Sequence, residues 1–488
     1  MDPFNKLPAE LRVTILVSTC CHHTIFQLIQ ASPVMLTQYT ASKRYITKRL
    51  LSSDFDDGMV QDAMAIILFP PQTTRHFQTL ARAHCRSWAS QQFANPLRQP
   101  LPSQEQQDYI NKISKLHRGL IFFIEDYLTK ATAVFPPREY LCLPSGAQLV
   151  FKGQSICPRF NAANLKNPER KRLLQAFLRY QLYCLLSRVE NYEFEVFTKI
   201  ASRVQELQPW DKEAILCVHT YLISLYGAMA VQCSNDAWLP EVVPRATSPP
   251  PPGLLYPDSL YFDPDVYPSI LKRFRDKAHL ASLGFDLVAS FLRSATAGQL
   301  GRDRLKKWLR FTEASRNRFR KAFGPTYRHR DYLGWLEQSY SDFDVKEKDH
   351  QSGPGMCRVL LPQLCPLDIQ RKIYQQRAWV FLDDARLYPS PSPDAKPHFP
   401  TEDDILNEQF DNTKQDEDWF TYPHQTQARH RSLKWHNEQR GISADTNKAE
   451  NLEDLDLAKE CQVSLPSEAD SKYLSTIRPF WEWDMGSA

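Results

Sequence analysis

The sequence predicts a mainly α-helical fold, and three observations carry that expectation. Apolar residues recur at three- and four-residue spacing through most of the 488-residue chain, which is the helical period. Alternating β-prone residues are confined to one short stretch, YLCLPSGAQLVFKG at 140–153, readable as a hairpin around Pro144-Ser145-Gly146. Glycine is scarce, at 15 residues. Doubly wound sheets and phosphate-cradling loops use glycine in their tight turns, so its scarcity argues against a nucleotide-binding α/β enzyme. The 35 prolines point to interrupted helices and extended connections.

Residues 8–51 read as three short helices. The first starts at Pro8, a favoured first helical position, and Glu10 in its first turn complements the helix dipole. The second covers about 24–31. Ser32-Pro33 supplies an N-cap and a proline at the next position, a start signal for a third helix running to about residue 51. Met35, Tyr39, Ser42, Ile46 and Leu50 mark one side of it. Further helical patterns lie at about 59–69, 73–94, 104–132, 168–205, 210–234, 268–297, 302–323 and 363–387. The stretch 214–233, AILCVHTYLISLYGAMAVQC, has no formal charge and is long enough for a membrane span. Its His219, Thr220, Tyr221, Ser224, Tyr226 and Gln232 make it read instead as a buried central helix, with no membrane partner.

The chain divides into a three-helix element (1–51), the first part of a helical body (52–240), a proline-rich linker (241–267) holding RATSPPPPGLLYPD, the second part of the body (268–388), and a proline-rich and acidic, weakly structured tail (389–488) ending in RPFWEWDM and three further residues. No repeat of fixed period is visible. Apolar content of 42%, charged content of 24% and a net charge of +4 suit a folded protein and declare neither a nucleic-acid nor a membrane partner. Eleven cysteines, an odd number, without a secretory leader pattern suggest free thiols in a reducing compartment, cytoplasmic or nuclear.

No catalytic motif is present: neither a G-x-S-x-G elbow, a glycine-lysine phosphate loop, an H-E-x-x-H pair nor a G-x-G-x-x-G turn. Cys20-Cys21-His22-His23 cannot converge on one tetrahedral ion from four adjacent positions. His84-Cys85 and Cys357/Cys365 lack ligand spacing. His424, His430 and His436 do not share a helical face. Asp383-Asp384 and Glu402-Asp403-Asp404 read as solvated surface. The expectation is no catalytic residue, no metal and no cofactor.

Residues 302–330 hold eleven Lys/Arg against Asp303 and Glu313, interleaved with Trp308, Phe311, Phe319, Phe323 and Tyr327. Nucleic-acid binding is one reading. Leu305, Trp308, Leu309, Thr312, Phe319 and Phe323 follow one helical stripe, so a basic solvated face over an aromatic core is favoured over it. Pro249–Pro252 reads as a linker, since Arg245 is out of register for a basic-flanked PxxP ligand.

The first helix has an unusual pattern. At 100° per residue, Leu11 and Ile15 lie within about 40° of each other, while Ala9, Val13, Leu16 and Val17 fill a second arc of about 100°. Arg12 separates the arcs on one side, and Glu10, Thr14 and Ser18 separate them on the other. Two apolar stripes need two packing partners. One is the pair of following helices; the other is the rest of the chain or a second protein.

LPAELRVTIL, a short loop, then IFQLIQASP and a third helix resemble the F-box, in the divergent form found at the N-termini of fungal proteins. Leu7, Pro8, Glu10, Leu11, Ile15, Leu16, Leu28 and Ile29 match that pattern over about 45 of the 488 residues. The sequence departs from it at Cys20–His23, where a proline and an acidic residue are usual, and in lacking the tryptophan of the third segment. QRAWVFLDDARL at 376–387 also resembles a recurrent stretch of large fungal F-box-type proteins. The resemblance implies a non-enzymatic adaptor that docks on the Skp-type subunit of an SCF-type cullin-RING ubiquitin ligase and holds an unknown protein substrate. Leu7, Pro8, Leu11, Ile15, Leu16, Leu28 and Ile29 would form or support the partner-binding surface. The alternatives are an α-helical scaffold unrelated to ubiquitin and a nucleic-acid binder through 302–330.

Overall fold

The computed structural model describes residues 2–19, 22–98, 103–133, 136–189, 207–233, 239, 280–296, 298–314, 369–383, 386 and 479–482. Helices make up 72% of what is described and strands 5%, so the fold is mainly α. The chain forms two compact units drawn from non-contiguous stretches. The first comprises Met1–Glu125, Phe160–Gln208 and Pro479–Ala488; the second comprises Asp126–Arg159 and Pro209–Arg478. The linker at 241–267, the PxxP-like prolines, most of the basic 302–330 stretch, the acidic pairs beyond Asp383, Cys357/Cys365 and the three evenly spaced histidines lie outside the described residues.

In the first unit a 3-10 turn, Pro3–Lys6, leads into α1 (Ala9–Ser18), α2 (His22–Ala31) and α3 (Pro33–Asp54). Ser32 caps α3: its hydroxyl oxygen accepts from the Met35 N–H at 3.1 Å, and Pro33 opens the helix. Pro8 sits one position earlier than the sequence implied, at the N-cap of α1 with extended backbone, and its carbonyl accepts from the Arg12 N–H at 3.1 Å. α4 (Asp57–Ile67) and α5 (Phe77–Ala89) follow. The helix expected over 73–94 is shortened to α5 because His76 and Gln91, just outside its two ends, have left-handed backbone (φ 67° and 53°).

α6 (Gln104–Ala131) is the longest helix among the described residues, and its residues from Asp126 onward belong to the second unit. In the first unit it buries Ile110, Ile113, Leu116, Leu120, Phe123 and Ile124 along one stripe. α8 (Asn167–Leu186) closes the unit against α3 and α4. In its first turn the Glu169 carboxylate reaches back to accept from the Lys166 N–H at 3.0 Å, the acidic half of a capping box.

The second unit contains the short α7 (Pro136–Glu139) and an antiparallel meander, β1 (Leu143–Ser145), β2 (Gln148–Phe151) and β3 (Gln154–Pro158). The expected hairpin is therefore the first two strands of three. Pro144 is accommodated because β1 is an edge strand. Lys152 and Gly153 turn β2 into β3 with positive φ at both positions (49° and 89°), the requirement of a two-residue I′ hairpin loop. Ile156 is the extra residue of a bulge, since Val150 pairs with Ser155 and Leu149 with Cys157.

α9 (Pro209–Cys233) carries the uncharged apolar stretch 214–233 noted in the sequence, preceded in its first turn by Asp211, Lys212 and Glu213. It is long and apolar enough to cross a membrane by length and composition, but 89% of its most apolar window is buried inside the protein. α10 (Phe285–Thr296), α11 (Gly298–Ala314) and α12 (Ile369–Gln376) pack against it. Of the stretch 268–297, residues 268–279 lie outside the described residues; 280 and 281 are helical, and α10 restarts directly behind Gly284, whose φ of 84° marks the break between them. α12 ends in a Schellman motif. Ala378 takes the left-handed conformation (φ 56°), its N–H reaches the Gln375 carbonyl at 3.2 Å, and the Trp379 N–H reaches the Tyr374 carbonyl at 3.2 Å. The accompanying apolar contact is Tyr374 on Trp379, with ring centroids 5.6 Å apart.

Candidate protein-docking interface

The three-helix element has a small core of its own. Leu16, Ile25, Met35, Ile46 and Leu50 are buried together, and Phe4, Val13, Ile15, Val17, Leu28, Ile29 and Tyr39 pack around them half-buried. The stripe Met35, Tyr39, Ser42, Ile46, Leu50 is the face of α3 turned to α1 and α2, as three-to-four spacing implies. Beyond Leu50 the chain passes into the rest of the first unit, where Leu51 and Phe55 are buried.

Asp2 ties the element together. Its carboxylate accepts from the Phe4 N–H at 2.9 Å, from the Ser32 hydroxyl at 2.6 Å and from the Val34 N–H at 3.4 Å. One carboxylate thus joins the opening turn to the positive end of α3. The Ser32 hydroxyl, with the two backbone N–H groups, holds the Asp2 carboxyl below the usual carboxylate range.

The two apolar arcs of α1 have different environments. Leu16 is completely buried, with Val13 and Val17 beside it. On the other arc Ile15 rests half-buried against the cluster, and Leu11 is 50% exposed. Of the residues assigned to a partner surface, Pro8 and Leu11 are exposed and Leu7, Ile15, Leu28 and Ile29 are half-buried. Leu16 is fully buried, so of the two roles, forming or supporting that surface, only support of its neighbours is left to it.

Three exposed apolar side chains were not singled out from sequence: Phe26 on α2 and Leu36 and Tyr45 on α3. The available signal was their position beside, rather than on, the apolar stripe of their helix. Leu36 lies about 100° round α3 from Met35, and Phe26 lies about 100° round α2 from Ile25.

The titratable clusters of the described residues are interior. In the first unit Asp54, His117 and Arg170 meet, each less than a tenth exposed. In the second, Asp126 Oδ2 accepts from Lys130 Nζ and from the Tyr221 hydroxyl, both at 2.7 Å, and all three side chains are fully buried. Burial, then the Asp126 charge, drives the Tyr221 hydroxyl well above its ordinary pKa. Glu213 accepts from Arg371 through Oε2 and from Gln375 (3.1 Å) and Trp379 (3.2 Å) through Oε1. Arg377 donates to the Ala131 and Ala133 carbonyls at 3.0 and 2.7 Å, closing the end of α6, and burial pushes its pKa down to about 9. These groups bond to one another or to backbone carbonyls, and each is buried, so none lies at a surface where a substrate could meet it. Burial also lifts the thiol of Cys233 to about 12 and that of Cys142 higher still, which keeps both in the poorly nucleophilic thiol form.

Among the described residues no group of three or more His, Cys, Asp or Glu side chains is placed to hold a metal ion. Cys20 and Cys21 fall outside the described residues. Compared with known proteins, the chain matches no protein-family model, no curated protein and no solved structure.

Proposed function

We propose that the protein is a non-enzymatic adaptor. Its three-helix element docks on a Skp-type subunit of a cullin-RING ubiquitin ligase, and the remaining chain holds a target protein. The observation that supports this reading is the unsealed outer stripe of α1. Leu11 stays half-exposed, whereas Leu16 is fully buried and Val13 and Ile15 pack half-buried against the core. The element is also where exposed apolar surface concentrates. Of the six large apolar side chains left exposed among the described residues, four (Leu11, Phe26, Leu36 and Tyr45) belong to α1–α3. Covering such side chains with a partner is worth about 1.5–3 kcal/mol each before the cost of association. The F-box-like order of residues in α1 and α2 gives the class of partner.

Co-purification of the full chain with a Skp-type subunit tests the reading, comparing it with a Leu11→Asp/Ile15→Asp variant checked for folding by circular dichroism. Recovery should fall sharply in the variant. Equal recovery from a folded variant rejects the proposal.

A further inference from the structure

Helix α6 has a glycine, Gly119, deep in its interior. Glycine is the poorest helix former after proline, so an interior glycine calls for a reason. The reason lies in another part of the first unit. A Cβ at position 119 would stand 2.7 and 2.9 Å from two ring carbons of Phe480, closer than side-chain packing allows. One turn along α6, Phe123 meets the same ring edge-on, with centroids 6.0 Å apart. Phe480 is completely buried and Trp481, packed on it at 5.3 Å, is 6% exposed, whereas Glu482 is exposed. The segment is a single 3-10 turn, closed by a 3.0 Å hydrogen bond from the Glu482 N–H to the Pro479 carbonyl. A notch left in the helix by the lack of one side chain is thus filled by the Phe480 ring, with Trp481 packed edge-on against that ring. Short docking peptides are built this way, with the contact concentrated in large aromatic anchors and a charged residue left at the rim.

We infer that the notch at Gly119 and Phe123 is a peptide-docking site for a Pro-Phe-Trp-Glu turn. The chain's own residues 479–482 occupy it as a plug, and the same peptide can take their place once they are withdrawn. This inference is independent of the adaptor reading.

The test measures fluorescence anisotropy of a labelled peptide covering residues 477–485, added to the full chain. The intact chain, already plugged, should not bind it. A Phe480→Ala/Trp481→Ala chain should bind it saturably, and adding Gly119→Leu to that variant should weaken binding by about tenfold or more. Equal binding to the intact and double-variant chains overturns the inference, as does no binding to a folded double variant. Should the double variant fail to fold, a specific protease site inserted between residues 465 and 470 of the otherwise native chain replaces it. Exchange of the released piece for labelled peptide then supports a docking site. Retention against excess peptide, or unfolding on cleavage, shows a fixed piece of core and overturns it.

Discussion

Asp54 and His117, 63 positions apart in the chain, are joined inside the first unit by a 2.7 Å hydrogen bond from the imidazole Nε2 to the carboxylate Oδ2. The same oxygen accepts from Arg170 Nε at 3.1 Å. Asp54 is the last residue of α3, so this contact pins the end of that helix to α6 and α8.

Replacing Asp54 by Asn removes a buried charge from beside the Arg170 guanidinium, and removing one partner of such a pair costs about 3–5 kcal/mol. Urea unfolding at neutral pH should show that loss. Burial raises the Asp54 pKa, but the hydrogen bonds and charges of His117 and Arg170 outweigh it and hold the carboxyl below its ordinary value. The stabilisation is therefore complete above the unfolded carboxyl pKa of about 3.9 and drains away as pH falls through the lower folded value. Urea midpoints should fall more steeply below about pH 4 in the native chain than in D54N; parallel curves would deny Asp54 this role.

Glu213 and Arg371 fasten α9 to α12 across 158 positions. Glu213→Leu removes the carboxylate that accepts from Arg371, Gln375 and Trp379 and should cost about 3–5 kcal/mol. Arg371→Met should cost a comparable amount. Together they should cost less than their sum, by about 0.5–3 kcal/mol in a double-mutant cycle read by chemical denaturation. Strict additivity would mean the two side chains do not act as a pair.

Ser32→Ala removes both the cap of α3 and the hydroxyl held by Asp2. A loss of about 0.5–2 kcal/mol is expected in thermal or urea melts. Ser32→Asp keeps a capping oxygen but sets it against the Asp2 carboxylate, so it should rescue little at neutral pH and more in acid.

Leu16 and Leu11 should part company. Leu16→Ala opens a cavity in the three-helix core and should cost about 2–5 kcal/mol. Leu11→Ser, at a half-exposed site, should change stability by no more than about 0.5 kcal/mol while weakening capture of the partner. Equal destabilisation by the two would show the outer stripe to be core.

Local features of this fold could be read from the residues themselves. Ser32-Pro33 announces α3, and the spacing of Met35, Ile46 and Leu50 names its buried face, because the helical period is a local property. The two arcs of α1 were equally visible. Which of them is covered depends on where α2 and α3 return, and that is a tertiary fact. The bonds of Asp54 to His117 and Arg170, and of Glu213 to Arg371, span 63, 116 and 158 positions. No pattern within a helix marks such partners, since a charged residue bound for the interior looks like one bound for solvent. β3 was missed for another reason: QSICP neither alternates clearly nor is rich in β-branched residues, and it pairs because β2 supplies a template.

The aromatic turn at Phe480 has a consequence for how the protein is made. Gly119 emerges from the ribosome about 360 residues ahead of its ring, roughly 20–70 s at about 5–20 residues per second. For that interval the nascent first unit has an open greasy slot, and a chaperone or a neighbouring nascent copy on the same messenger can reach it before the chain's own plug has been translated.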